Sequence, residues 1–400
     1  MAVTVYQSPS SVTPVYNDMV WVIGSTNIAQ TNFQYIVDVW YNGAFRSRFK
    51  LPARPDTYAV FNGARVLESL VTYDIDYADA GIYECPNMFE NVVLKFGEEY
   101  GSTVVEYTDL TVSSVVTSFN ASIDVLDFID FDSTDYNLNA TTQKFLTNAP
   151  LATDINLSQN AWLHFYATTG ANVDRAIIKT YNTAGSLVGT YKLANNFASA
   201  SGFFRLTTGT NSLNAIASGN IISGTQPIIT SSIASYTVEM ATSADAVKSE
   251  TRTYNIVDAS CKYDSYRIHW LNKLGGFDSF NFDLVSTQKT SIARKNYKKN
   301  LGTLTGTTYA YTKQDPQDVV YDTNYKRTVR VTSNWMSNAD AIWMEELFTS
   351  PVVYYENSSN ELIPIVLTSN EYEQKKSQNI KLINYELEFS FAQTNSRQRG

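Results

Sequence analysis

The sequence predicts a mainly β protein, a multi-domain β-sandwich-like architecture with one short α-helix in its C-terminal domain. Aromatic residues make up 13% of the chain and charged residues only 17%, a mixture that suits pleated, half-buried strands better than helices. Apolar residues recur with a period of two in several runs, whereas a helical period shows only once. At 400 residues the chain exceeds the size at which one hydrophobic core stops growing, so several domains are expected. Shifts in composition place them at 1–118, 119–258 and 259–400.

The first hairpin is the clearest element. Phe33, Tyr35, Val37, Val39 and Tyr41 alternate with other residues up to Asn42-Gly43, the dipeptide favoured in type I′ turns because both central residues need positive φ. The returning strand puts Phe45, Ser47, Phe49 and Leu51 on one face and Arg46, Arg48 and Lys50 on the other, until Pro52 and Pro55 end it. One face is expected in the core, the other toward solvent or a partner. Further strands are expected from Val104 to Val116 and from Ala176 to Tyr191, the second divided by a turn at 182–186. Polar stretches near 118–160 and 198–235 read as loops or domain seams.

In the last third, Thr328 to Thr332 reads as a strand that ends at Asn334 and Trp335. Ser337 can cap a helix there, with Asp340 three residues on completing a capping box. Ile342, Glu345, Glu346, Leu347 and Phe348 give an amphipathic run over about 338–349 that stops before Pro351. Strands follow at Val352 to Tyr355 and Ile363 to Leu367. The final strand sets Ile383, Tyr385, Leu387, Phe389 and Phe391 on one face against Asn384, Glu386, Glu388 and Ser390 on the other.

The net charge of −9 argues against nucleic-acid gripping as a main role, because phosphate neutralisation needs a concentrated basic face. Two cysteines, Cys85 and Cys261, do not make a disulfide framework, so packing alone must hold the fold. No basic-then-apolar leader and no run of about eighteen apolar residues is visible; neither export by signal peptide nor a membrane partner is expected.

Catalytic motifs are scarce. Any histidine-based site would need His164 or His269, both in apolar, strand-like contexts, and neither GxSxG nor HExxH is present to supply partners. Asp124, Asp127, Asp130, Asp132 and Asp135 lack the sixth-position Gly and twelfth-position Glu of an EF-hand and read as a solvated loop guarding a sheet edge. Two of them could also be the paired carboxylates of a glycosidase. No cofactor, metal or catalytic residue is assigned, and the chain is expected not to be an enzyme. The concentrated basic run, Arg294, Lys295, Tyr297, Lys298 and Lys299, is read as a candidate interface to the acidic bulk of neighbouring subunits. The dipeptide Gly275-Gly276 allows a tight turn with positive φ, with Asn272 and Asp278 placed to bond the turn backbone and Phe277, Phe280 and Phe282 returning into a sheet.

The segment Trp270 to Phe282, the run at 286–300 that follows it, the block from Asn334 to Gln393 and the first 65 residues together resemble tail and baseplate structural proteins of Bacteroidota bacteriophages. The resemblance covers about half of the chain; roughly 118–255 carries no familiar pattern. It implies a virion protein of a tail, baseplate or collar, assembled in the host cytoplasm and connecting neighbouring tail or portal-proximal proteins. A homo-oligomeric ring is expected, hexameric first and dodecameric second. Two other readings stay open: a carbohydrate-binding host-recognition protein, suggested by Tyr, Trp, Asn and Asp in loops, and a polysaccharide depolymerase.

Overall fold

A computed structural model describes residues 3–75, 80–103, 105–106, 110–257, 263–369, 384–393 and 395–396. The fold is mainly β, with 46% of residues in strands and 10% in helices, arranged as several sheets in a multi-domain, β-sandwich-like architecture. By its internal contacts the chain divides into two compact units: Met1–Asp258 with Trp270–Ser279, and Ala259–His269 with Phe280–Gly400. Of the two seams read from the sequence, 258/259 falls at the edge of the first unit and 118/119 falls inside it.

The first unit holds two sandwiches. In the first, a three-stranded sheet (Val3–Gln7, Val20–Ser25, Tyr58–Asn62) faces a seven-stranded sheet centred on Phe89–Tyr100 and Gln34–Tyr41. Trp21, Ile23 and Phe61 from one sheet meet Tyr35, Val37, Val39, Leu94 and Phe96 from the other. The hairpin of Gln34–Tyr41 with Ala44–Leu51 turns on Asn42 and Gly43, at φ 50° and 68°, as a type I′ turn requires. Its outer strand is less buried than the clean alternation suggested. Phe49 and Leu51 pack against the core from partly buried positions, while Phe45 is exposed. Asp38 on the inner strand is buried and bonds the Arg48 guanidinium through both oxygens, at 2.6 and 2.7 Å.

In the second sandwich, a six-stranded sheet (order Ala152–Ile155, Arg252–Ile256, Ser235–Ala241, Arg175–Tyr181, Leu187–Ala194, Ile221–Ser223) faces a three-stranded sheet of Trp162–Ala167, Gly202–Thr207 and Ile82–Glu84. Every residue of Trp162–Ala167 and Gly202–Thr207 is buried. Leu163, Phe165, Phe204 and Leu206 enter the sandwich core, and Tyr166 and Phe203 on the other face join a separate cluster with Met88, Phe119 and Leu274. Ile82–Glu84 comes from the N-terminal third yet pairs with Gly202–Thr207, which is why a seam at 118/119 does not separate the packing.

An eight-stranded sheet, most of whose residues belong to the second unit, has a main path that runs Phe277–Phe282, Tyr266–Leu271, Val353–Glu356, Leu362–Leu367, Glu386–Phe391, Asp318–Thr332, Thr287–Lys298. Helix Asn338–Thr349 begins at a capping box in which Ser337 and Asp340 bond each other's backbone N–H. It is the longest helix among the described residues. Its buried face is Ala341, Trp343, Met344 and Leu347, with Trp343 edge-on to Phe280; Ile342, expected inward, is exposed. Tyr385, Leu387 and Phe389 are buried, as the alternation of the last strand predicts, but Phe391 is only half-buried and Ser390, expected outward, is buried; Ile383 lies outside the described residues.

Candidate functional site

The basic run stands on a long two-stranded ribbon. Thr287–Lys298 pairs antiparallel with Asp318–Thr332 along its whole length, and all twelve of its residues are exposed. It is the edge strand of its sheet. On its inner side, Glu386–Phe391 accompanies Asp318–Thr332 only from Thr328 to Thr332, with a two-residue contact to Asn395–Ser396 at Asn324 and Tyr325. From the Thr290–Arg327 pair to the Lys298–Asp318 pair the two strands therefore run about 25 Å largely on their own. Past Lys298, Thr303–Thr305 and Thr308–Ala310 form a small exposed hairpin.

A bulge at Tyr321 sets the side-chain pattern. Lys295 faces Asp322 across the ribbon, with an ion pair at 3.1 Å, and the extra residue Tyr321 brings its ring within 6.1 Å of Tyr297. The other face carries Ile292 and Arg294 beside Tyr325 and Thr323. Among the described residues Arg294, Lys298 and Lys299 make no ion pair; Lys299 contributes its backbone N–H to the Gln317 carbonyl at 2.9 Å. Residues 287–330 hold nine Lys or Arg and three Asp, a net +6 in a chain of net −9, so the remaining residues carry −15.

Lysines on an edge strand have a plain explanation, since charge discourages one sheet edge from pairing with another. That explanation does not cover Ile292, Tyr297, Leu304, Tyr309, Tyr311, Val320 and Tyr321, all exposed on the same ribbon. A two-stranded ribbon without a hydrophobic face of its own is marginal in water. Exposed aliphatic and aromatic side chains interleaved with cations form a surface suited to an acidic, partly apolar partner.

The glycine turn lies in the first unit and is a packing device. Asn272 Oδ1 accepts the N–H groups of Leu274 and Gly276 at 3.0 and 2.9 Å, and its Nδ2 donates to the Leu146 carbonyl at 2.9 Å. Gly275 has φ +84°, and a Cβ there would stand 2.1 Å from the Asn120 carbonyl oxygen. At Gly276 a Cβ would meet the Leu146 carbonyl at 2.8 Å. Asp278 is buried on the returning strand, as are Phe277 and Phe282.

Both histidines are sealed from solvent. The Nδ1 of His164 accepts the Phe277 N–H at 3.2 Å; burial, and then the nearby Arg205 guanidinium, push its pKa down to about 3 against the opposing Asp74 backbone. In the second unit, His269 Nε2 lies 2.8 Å from Glu356 Oε2, whose other oxygen accepts from Asn360 at 2.7 Å. Arg267 approaches the same carboxylate at 3.7 Å and donates to Asn281 at 2.8 Å. Burial pushes the Glu356 carboxyl up, but His269 and Arg267 outweigh it and hold the carboxyl below its usual range. The Glu356 carboxylate is thus held by His269, Asn360 and Arg267 inside the core. Burial raises the Cys85 thiol to about 12, which leaves it inert as a nucleophile, and Cys261 lies outside the described residues. Among the described residues no three His, Cys, Asp or Glu side chains gather as metal ligands, and no helix is long and apolar enough to cross a membrane.

The acidic segment is not wholly a loop. Val125–Ile129 forms a short helix and Ser133–Tyr136 a 3-10 turn. Asp124 pairs with Lys273 and Asp135 with Lys144, and Asp132 Oδ1 accepts the Thr134 N–H at 2.8 Å. Asp127 and Asp130 make no such bond among the described residues. Val125, Leu126 and Ile129 are 75%, 79% and 73% exposed. The helix thus presents Val125, Leu126 and Ile129 outward, interspersed in sequence with Asp124, Asp127 and Asp130.

No protein-family model and no curated protein matches the chain. Among solved structures, it is similar to the dimeric latent PorU of Porphyromonas gingivalis over 82% of this chain and 32% of that one, at 8% identity and a TM-score of 0.19. The chain spans about a third of that protein's length, and a similarity of that size carries no shared fold.

Proposed function

We propose that this chain is a non-enzymatic structural subunit that assembles with copies of itself, in the tail, baseplate or collar of a bacteriophage virion, as a ring of six or, second, twelve copies. The observation that carries the assembly half of this reading is the ribbon at 287–330, a basic, aromatic-bearing edge exposed on both faces. The virion half rests on the resemblance of the Trp270–Phe282, 286–300 and Asn334–Gln393 segments to phage tail proteins.

In such an assembly the ribbon does what a single copy cannot. It buries its tyrosines and aliphatic side chains against a neighbour and neutralises its cations there. Its free edge can continue a sheet across the boundary. A contact between two different surfaces is head-to-tail, and closes into a ring when the rotation between neighbours divides the circle.

The test compares the whole chain with one in which 296–321 is replaced by Asn-Gly, joining the paired residues Lys295 and Asp322 through a two-residue turn. Light scattering is expected to give a discrete multimer for the whole chain and a folded monomer for the shortened one. Equal masses for the two would remove the ribbon from the assembly, and a monomeric whole chain at every concentration would overturn self-assembly.

A further inference from the structure

We infer that the ribbon of one copy docks on the Asp124–Asp135 segment of a second copy. This inference rests on the self-assembly reading above and names the surface that receives the ribbon.

The receiving surface is unusual in its chemistry. Residues 121–143 carry five aspartates and no Lys or Arg, the opposite balance to the ribbon's. In their midst Val125, Leu126 and Ile129 stand almost fully exposed, on a helix of five residues that has no apolar face turned inward beyond the half-buried Phe128. A solvated acidic loop has no need of three aliphatic side chains pointing to water.

The ribbon supplies the matching features at the same scale. Arg294, Lys298 and Lys299 have no carboxylate partner among the described residues, and neither do Asp127 and Asp130. Ile292, Val320 and the Tyr297–Tyr321 pair offer apolar surface within a few residues of those cations. Joining the two patches removes both sets of exposed apolar side chains from water and pairs charges that are otherwise solvated. Because ribbon and acidic patch are different surfaces, each copy gives one and receives one. That is the heterologous arrangement from which rings and filaments are built.

A charge exchange tests it. The ribbon variant carries Arg294→Glu, Lys298→Glu and Lys299→Glu; the patch variant carries Asp127→Lys and Asp130→Lys. All five positions are exposed, and circular dichroism checks that both variants fold. Each variant alone then sets like charges against each other at the altered positions, with 287–330 falling from +6 to 0 in one and 121–143 rising from −5 to −1 in the other, and is expected to associate on the order of a hundredfold more weakly than the unaltered chain. Mixed in equal amounts, they offer each other opposite charges at the altered positions of both surfaces, and the mass of the unaltered assembly should return, with less of it at high salt.

A variant that assembles alone as the unaltered chain does, or a mixture that stays monomeric, would overturn the docking while leaving self-assembly in place. Undiminished assembly of the ribbon variant together with lost binding of a single-stranded oligonucleotide would reassign the ribbon to nucleic acid. A monomeric unaltered chain would overturn both the docking and the reading it rests on.

Discussion

Lowering the pH from 7.5 to 5 should destabilise the first unit through one side chain, His164. It is wholly buried on Trp162–Ala167, and its Nδ1 accepts the Phe277 N–H, so the neutral ring carries its proton on Nε2. Its pKa falls from the ordinary 6.5 to about 3 on folding, because burial and Arg205 both disfavour the imidazolium. The unfolded chain therefore binds a proton that the folded chain refuses. Stability is full above the unfolded value near 6.5 and is lost as the pH falls toward the folded value near 3. The loss from this group is about 0.4 kcal/mol at pH 6.5 and about 2 kcal/mol at pH 5.

His269, also pushed down by burial against its Glu356 hydrogen bond, acts in the same direction, so a comparison must isolate His164. In His164→Gln the amide oxygen can accept the Phe277 N–H and nothing titrates. Urea unfolding of the two proteins, followed by tryptophan fluorescence, should show a stability gap that narrows by about 2 kcal/mol between pH 7.5 and 5. A gap that stays constant over that range would refute the argument, as would a histidine resonance of the folded protein titrating near its ordinary value.

Gly275→Ala should cost about 3 kcal/mol or more, combining an unfavourable positive φ with a Cβ placed 2.1 Å from the Asn120 carbonyl oxygen; a urea midpoint close to that of the unaltered protein would show that the turn moves freely away from Asn120. Ser337→Ala removes the cap of helix Asn338–Thr349 and should cost about 1 kcal/mol, read as faster amide exchange in the helix's first turn. Unchanged exchange there would mean that the buried Trp343 and Leu347, rather than the cap, hold the helix end.

The elements legible in the sequence were those set by local chemistry. Asn42-Gly43 specifies its turn through φ, and Ser337 with Asp340 specifies a helix start through two reciprocal hydrogen bonds, so both could be placed to the residue. The helix's inward face was less legible, because Ile342 and Trp343 are both apolar neighbours and only tertiary packing turns Trp343 toward Phe280. Trp162–Ala167 was harder still: buried on both faces, it has no polar–apolar alternation to read. Its pairing through Gly202–Thr207 to Ile82–Glu84 is a long-range match that composition does not signal.

Of the candidate site, the cations from Arg294 to Lys299 were visible as a run, but the ribbon that carries them was not. Thr287–Lys298 has no apolar face, and it is a strand because Asp318–Thr332 pairs with it. The acidic segment reads in sequence as a solvated loop because its aspartates dominate. Val125, Leu126 and Ile129 at spacings of one, three and four resemble a buried helix turn, and only their exposure shows a surface that awaits a partner.

The most direct measurement of the central claim, that the ribbon is an assembly element, is hydrogen–deuterium exchange over residues 287–325 as a function of protein concentration. Protection of these amides should rise by about tenfold or more between submicromolar and tens of micromolar protein, and fall again in high salt, while the strands of the two sandwiches stay unchanged. Ribbon amides exchanging at one rate across the whole concentration range would contradict it.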